Sequence, residues 1–270
     1  MMERIRLQHK TFRQITYYKT GHGPVILLVH GFPANRHLWR HIVPGLAQHY
    51  TVLLPDFFEQ EGDWQEEGYT STHQLARGFH DILEHEQVDR VLIAGHSMGG
   101  YMGLAFAALY PDRLAGLSLI HSSPVGDDPE RAEGRRKTVS ILEKGGKSPF
   151  LKKMVPALFS ETFRKTEQET VSRQLDEALE VNDQALVAFY RAIMERDATT
   201  EVTRTAHFPV QNIIGKKDTL ANITKELAPQ NLSNVNFVSI CEDEAHMAML
   251  ENPGALLKDL LHFAGYCWHR

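Results

Sequence analysis

Between residues 91 and 110 an unbroken apolar run, Val91-Leu-Ile-Ala94, passes directly into Gly95-His-Ser97-Met-Gly99-Gly100 and then into a small-residue helical pattern that stops at Pro111. An apolar run of this kind fits a strand buried on both faces. A strand and a helix joined so tightly need a sharp turn. The residues two before and two after the serine then come nearly into contact, where only glycine avoids a clash and tolerates unusual backbone angles. Such a turn lifts the Ser97 hydroxyl above the carboxyl ends of the strands. The helix N-terminus behind it offers a free N–H and a dipole that favours a negative oxygen.

The rest of the chain repeats this alternation. Residues 25–29, 52–54, 117–120 and 210–214 read as further buried strands, and 235–240 as a later one. Helical patterns lie between them at 36–48, after the candidate N-cap Asn35, and at 71–85, with Leu75, Phe79, Ile82 and Leu83 on one face. A last one at 252–268 opens Asn-Pro, an N-cap followed by proline at the first helical position. Strands alternating with helices predict a parallel α/β sheet. The alternation breaks between about 124 and 208. That segment shows helical patterns at 131–143, 152–159, 167–180 and 184–196, punctuated by Gly145-Gly146 and Ser148-Pro149, and no strand run. It predicts a lid or cap at 124–208, inserted in a core of 1–123 and 209–270.

A serine hydroxyl is a weak nucleophile and needs a base, most often histidine. Among 15 histidines, His246 is placed best, after the last strand candidate and before the C-terminal helix. His121, at another strand end, is the runner-up. Asp218 follows the strand at 210–214 and stands between Ser97 and His246 in chain order, so it is the expected orienting acid, with Asp127 or Asp128 as the alternative. His30-Gly31-Phe32-Pro33 follows the first buried strand, where a second oxyanion donor is expected. The backbone N–H groups of Phe32 and Met98 are the two candidates. Phe32 and Met98, with Phe159, Phe163, Phe189, Tyr190 and Met194 of the insert, are candidate pocket walls, although each of the five insert residues fits a helix core at least as well. His37 and His41 have a metal-binding i, i+4 spacing, but a solvated helix face explains them more simply.

The formal net charge of −5 argues against a general nucleic-acid binder. No apolar stretch is long enough for a membrane span, and residues 1–10 lack the apolar core of a signal peptide, so a cytoplasmic protein is expected. Cys241 and Cys267 fit no metal or redox spacing and read as reduced structural residues. No phosphate loop or dinucleotide fingerprint is present, so the expected partner is a small-molecule substrate with no metal or organic cofactor.

His30-Gly-Phe-Pro33, Gly95-His-Ser-Met-Gly-Gly100, Tyr110-Pro-Asp-Arg113, Gly215-Lys-Lys-Asp218 and His246 together resemble the α/β-hydrolase superfamily over nearly the whole chain. The resemblance implies a mostly parallel sheet with helices on both faces and a helical cap inserted after the sixth strand. It also implies a serine hydrolase with the triad Ser97, Asp218 and His246 but does not name a substrate; the apolar residues of the insert would suit a small or medium apolar ester. His-Gly-Phe-Pro is similar to the loop of epoxide hydrolases and haloalkane dehalogenases, which use an aspartate nucleophile; serine at position 97 points to acyl transfer instead. Residues 56–64 depart from the glycine-rich loop of many relatives. Cleavage of a carbon–carbon bond in a β-diketone, proton transfer by a lyase or cofactor-free oxygenase, and a slow ligand receptor remain open with the same residues.

Overall fold

The computed structural model describes residues 2–9, 13–57, 71–220 and 237–269. Its frame is one eight-stranded sheet in the order β1-β2-β4-β3-β5-β6-β7-β8. The strands are β1 (Glu3–His9), β2 (Arg13–Thr20), β3 (Val25–Val29), β4 (Thr51–Pro55), β5 (Val91–His96), β6 (Leu114–Ile120), β7 (Val210–Gly215) and β8 (Phe237–Cys241). β3 to β8 pair in parallel, and β2 runs antiparallel to both β1 and β4. The sheet is thus mostly parallel, as expected, with a two-stranded addition at one edge. That addition has no unbroken apolar run in the sequence, because β1 is largely exposed on this edge.

The continuous apolar runs are explained by burial on both sides. In β3, Leu27 and Val29 enter one core cluster, and Ile26 and Leu28 enter the other. α2 (Thr72–His85) and α3 (Met98–Leu109) cover the first face with Leu75, Phe79, Met102 and Phe106. α1 (Val43–Leu46) and the C-terminal α10 (Pro253–Trp268) cover the second with Leu46, Leu256, Leu260 and Phe263. The caps follow the sequence: the Ser71 side chain accepts from Gln74 N–H at 3.3 Å and that of Asn252 from Ala255 N–H at 3.3 Å. The helix expected at 36–48 is broken. A 3₁₀ turn at Arg36–Trp39 and the short α1, with Pro44 in its first turn, replace it. His37 and His41 are both exposed there, and no described group of three ligating side chains is arranged to hold a metal. Both cysteines are free. The last strand begins at Phe237; residues 235–236 of that expectation, and 58–64 of the atypical loop, lie outside the described residues.

Between β6 and β7 come six helices: α4 (Pro129–Glu143), α5 (Lys147–Ala157), α6 (Glu161–Thr166), α7 (Gln168–Glu180), α8 (Asp183–Met194) and α9 (Thr200–Thr205). They pack as pairs, α4 with α8 and α5 with α7. Each pair extends one of the two core clusters: Leu142, Leu186 and Phe189 join the first, and Leu151, Val155 and Ala178 the second. The insert is therefore fastened on both sides of the sheet. Polar ties add to this. His246 N–H donates to Leu158 C=O at 2.9 Å, and Arg40 Nη1 to Glu177 at 2.9 Å.

The first residues of the insert carry a buried charge cluster. Asp127 accepts from Arg196 Nη2 and Nη1 at 2.8 and 3.1 Å and from Arg135 Nε at 2.5 Å. Burial pushes the Asp127 pKa up, but hydrogen bonds from Arg196 and Arg135 outweigh it and bring the value down to about 2. A carboxyl depressed by its partners stabilises the fold above its unfolded pKa of about 3.9, and this stability is lost as pH falls through that value to the folded one. Asp127→Asn is expected to lower stability by about 3 kcal/mol at pH 7, because two guanidinium groups lose their counter-charge. Urea unfolding at pH 7 and near pH 2 checks it: the gap between wild type and variant should shrink at the lower pH, and a gap independent of pH would show that the ion cluster is not its source.

Candidate active site

Five loops meet at the carboxyl ends of the parallel strands. Phe32 follows β3, Ser97 follows β5, His121 to Ser123 follow β6, Asp218 follows β7 and His246 follows β8. In an open α/β sheet this rim is where ligands bind.

The β5–α3 turn has the strain its sequence requires. Ser97 has φ +50° and ψ −114°, a region that non-glycine residues rarely enter. A Cβ on Gly95 would stand 2.4 Å from Gly99 O, and one on Gly99 would stand 2.4 Å from Val29 O, so neither position accepts a side chain. Ser97 N–H donates to Ile120 C=O at 2.9 Å, and Ser122 Oγ donates to Ser97 C=O at 2.8 Å. These bonds lock the turn against the neighbouring strand. Within residues 91–100, Ser97 alone is not buried. Phe32 and Met98 are buried on either side, and neither backbone N–H donates to another described group. His30 braces the Phe32 loop from behind: Nδ1 donates to Gly31 C=O at 3.1 Å and Nε2 accepts from Phe57 N–H at 3.3 Å.

His246 Nδ1 lies 2.6 Å from Asp218 Oδ2, with both side chains sealed from bulk water. Burial alone would raise the Asp218 pKa. The charge and hydrogen bond of His246, helped by His121 and Leu220 N–H, reverse this and hold the carboxyl well below its usual range. An ionised carboxylate only accepts, so Nδ1 is the ring nitrogen that donates to Asp218 and Nε2 is turned away from it. His246 and Ser97 line the same cavity of about 590 Å³. No hydrogen bond joins Ser97 Oγ to the ring; such bonds tighten as substrate binds.

The runner-up base is placed differently. His121 is fully buried, and its Nδ1 accepts from Gly215 N–H at 3.1 Å while lying 3.8 Å from Asp218 Oδ2. Burial first, and then the charge of His246, lower its pKa to about 3, so it stays neutral. His96 donates from Nε2 to His246 C=O at 2.8 Å and is also kept neutral by burial. Neither alternative acid pairs with His246: Asp127 is held by two arginines, and Asp128, although it lines the cavity, caps α4 by accepting from Arg131 N–H at 3.0 Å.

Of the five insert residues expected in the pocket, Tyr190 alone lines the cavity, edge-on to Phe32 at 5.2 Å. Phe159 and Phe163 stack on each other at 5.4 Å within or against the second core cluster, Phe189 packs on Phe57 at 5.7 Å, and Met194 ends α8 away from the opening. Aromatic character did not separate wall from core here. The cavity also takes Tyr101, Ser122, Arg131, Arg135, Phe150 and Met154, none of which stood out as a candidate. Tyr101 was readable in principle, since it lies one helical turn after Ser97 and on the same face.

A family model described as the alpha/beta hydrolase fold matches residues 24–253. An uncharacterized protein of Mycobacterium tuberculosis is 33% identical over 122 residues, covering 43% of this chain and 36% of that one, so the match spans about a third of that relative's length. The karrikin insensitive 2 receptor IA of Petunia hybrida is 24% identical over 94% of this chain and 95% of its own. Among solved structures, a thermophilic esterase from Thermogutta terrifontis superposes with a TM-score of 0.88 at 24% identity, covering 98% of this chain and 99% of that one. A receptor and an esterase are thus both among the proteins this chain is similar to. On sheet order, turn geometry and the family match together, the chain belongs to the alpha/beta hydrolase family.

Proposed function

We propose that this protein is a serine esterase working through an acyl-enzyme, with Ser97 as nucleophile, His246 as general base and Asp218 as its orienting acid. The observation that carries this reading is the 2.6 Å Asp218–His246 pair opening on the same cavity as the strained, accessible Ser97. Asp218 fixes the His246 tautomer, so that Nε2 takes the Ser97 proton as Oγ attacks the ester carbonyl. The N–H groups of Phe32 and Met98 receive the oxyanion. They are buried, without an acceptor among the described residues and already positioned, so little reorganisation opposes the charge. His246 then protonates the leaving alkoxide, and a water activated by the same ring releases the acid. The insert at 124–208 serves as the cap, and Phe32, Phe150, Met154 and Tyr190 give the pocket apolar walls suited to a small or medium acyl group.

The test joins a fluorophosphonate probe with a series of p-nitrophenyl esters. Ser97→Ala is expected to abolish labelling and to lower kcat by about 10³-fold or more. Labelling of the wild type without turnover of any ester would overturn the esterase reading in favour of carbon–carbon cleavage or a ligand receptor. Asp218→Asn keeps the shape but loses the accepting carboxylate, so a loss of about 10³–10⁴-fold in kcat is expected with a smaller change in KM. A variant retaining more than a tenth of wild-type kcat would show that His246 is oriented by another group.

A further inference from the structure

α4 turns a polar stripe toward the cavity. Glu130, Arg131, Gly134, Arg135 and Thr138 line it, the last four at helical spacing, while Val139 and Leu142 are the buried residues of the helix. Behind that stripe the charges do not balance. Arg196 satisfies both oxygens of Asp127 on its own, its Nη1 also donates to Ile193 C=O at 2.7 Å, and its guanidinium lies 4.2 Å over the Tyr101 ring. Arg135 is a second cation on the same carboxylate, through Nε at 2.5 Å and Nη2 at 3.5 Å. Two guanidinium groups on one carboxylate leave one positive charge over.

Position decides which of the two is free to act. The Arg196 side chain is 5% exposed and does not line the cavity; that of Arg135 is 17% exposed and does. Among the described residues, Asp127 is the carboxylate paired with Arg135, and the Arg135 guanidinium lies 6.0 Å from the centre of the Tyr190 ring. Asp128, the N-cap of α4, and Glu130 also line the cavity, but both are exposed at the start of the helix and neither forms an ion pair with Arg135, while Arg131 is engaged with Leu220 C=O. A cation in a partly desolvated wall is costly until an anion meets it, and a guanidinium edge matches a carboxylate.

We propose that the cavity recognises substrates that carry a free carboxylate, received by Arg135 on the Nη1 edge that Asp127 leaves unused, with the ester at Ser97. The inference rests on the esterase reading and names its substrate class: half-esters of dicarboxylic acids with a short apolar spacer lying along Phe150 and Tyr190. Ser97 Oγ bonds to the ester carbon, the carbon–alkoxy bond breaks and the alcohol leaves with the proton held by His246. Water then cleaves the acyl-enzyme to the free diacid, and the carboxylate on Arg135 is chemically unchanged.

The test compares monomethyl succinate, glutarate and adipate with methyl alkanoates of equal chain length, in wild type, Arg135→Gln and Arg135→Lys, by titrating released acid. For at least one length, wild-type kcat/KM on the half-ester should exceed that on the neutral ester by about tenfold or more, the worth of one charge-assisted contact. This ratio should fall to near one in Arg135→Gln and be partly kept in Arg135→Lys. Glutarate or adipate should raise the Tm of the wild type and not that of Arg135→Gln. Equal rates on both ester types at every length overturn the proposal, as does a ratio that survives Arg135→Gln. If Arg135→Gln does not fold, Arg135→Lys and the wild-type ratio decide. If neither ester type is cleaved, the esterase reading fails, and the diacid-dependent Tm shift alone judges the anion site: a shift lost in Arg135→Gln upholds it, and no shift overturns it.

Discussion

The left-handed backbone of Ser97 is the constraint on which the rest of the site depends. A non-glycine residue held there costs about 1–3 kcal/mol, so the surroundings must over-determine it. They do so by removing every atom that would relieve the strain. Gly95 and Gly99 leave no room for a side chain, Ile120 C=O takes the Ser97 N–H, and Ser122 Oγ ties the Ser97 carbonyl to the next strand. The β5–β6 pairing therefore does more than extend the sheet. It holds the turn, and with it the accessible hydroxyl and the Met98 N–H beside it.

A second constraint is that one carboxylate sits among three histidines and must serve only one of them. Ring centroids of His96 and His121 lie 4.9 and 5.7 Å from that of His246. A second imidazolium there would compete for Asp218. Burial forbids it, since desolvation keeps His96 and His121 neutral. Each then has a structural task, His96 holding the His246 carbonyl and His121 accepting the Gly215 N–H. The cost is a pair of ring nitrogens, His96 Nδ1 and His121 Nε2, buried without a partner among the described residues.

The core was legible in the sequence wherever both faces of a strand are buried, because burial then writes a continuous apolar run. β3 and β5 are plain for that reason, and β1 and β2 are not, since one half-exposed edge leaves no such signature. Ser97, Asp218 and His246 were legible because each sits just after a strand, a place that the sheet topology turns into a rim. The pocket was not. Phe159 and Phe189 have the composition of a wall and the position of a core, since apolar side chains satisfy both environments equally. Which helix face meets the cavity depends on how α4 and α8 pair, and that packing is tertiary.

On the proposed reading, reactivity and selectivity are held by different parts of the chain. The turn, the histidine and its carboxylate belong to strand ends whose geometry the sheet imposes, and they can polarise many substrates alike. The insert answers to looser rules, since its helices need only bury one face each. α4 spends its cavity face on glutamate, arginine, glycine and threonine rather than on apolar residues, and it can do so because Val139 and Leu142 already anchor it on another side. Asp127 holds both Arg135 and Arg196, and one carboxylate offsets only one of the two positive charges. An apolar residue at 135 would pack against Tyr190 with less electrostatic cost. The presence of a surplus cation there is therefore better explained by what enters the cavity than by what holds the helix in place.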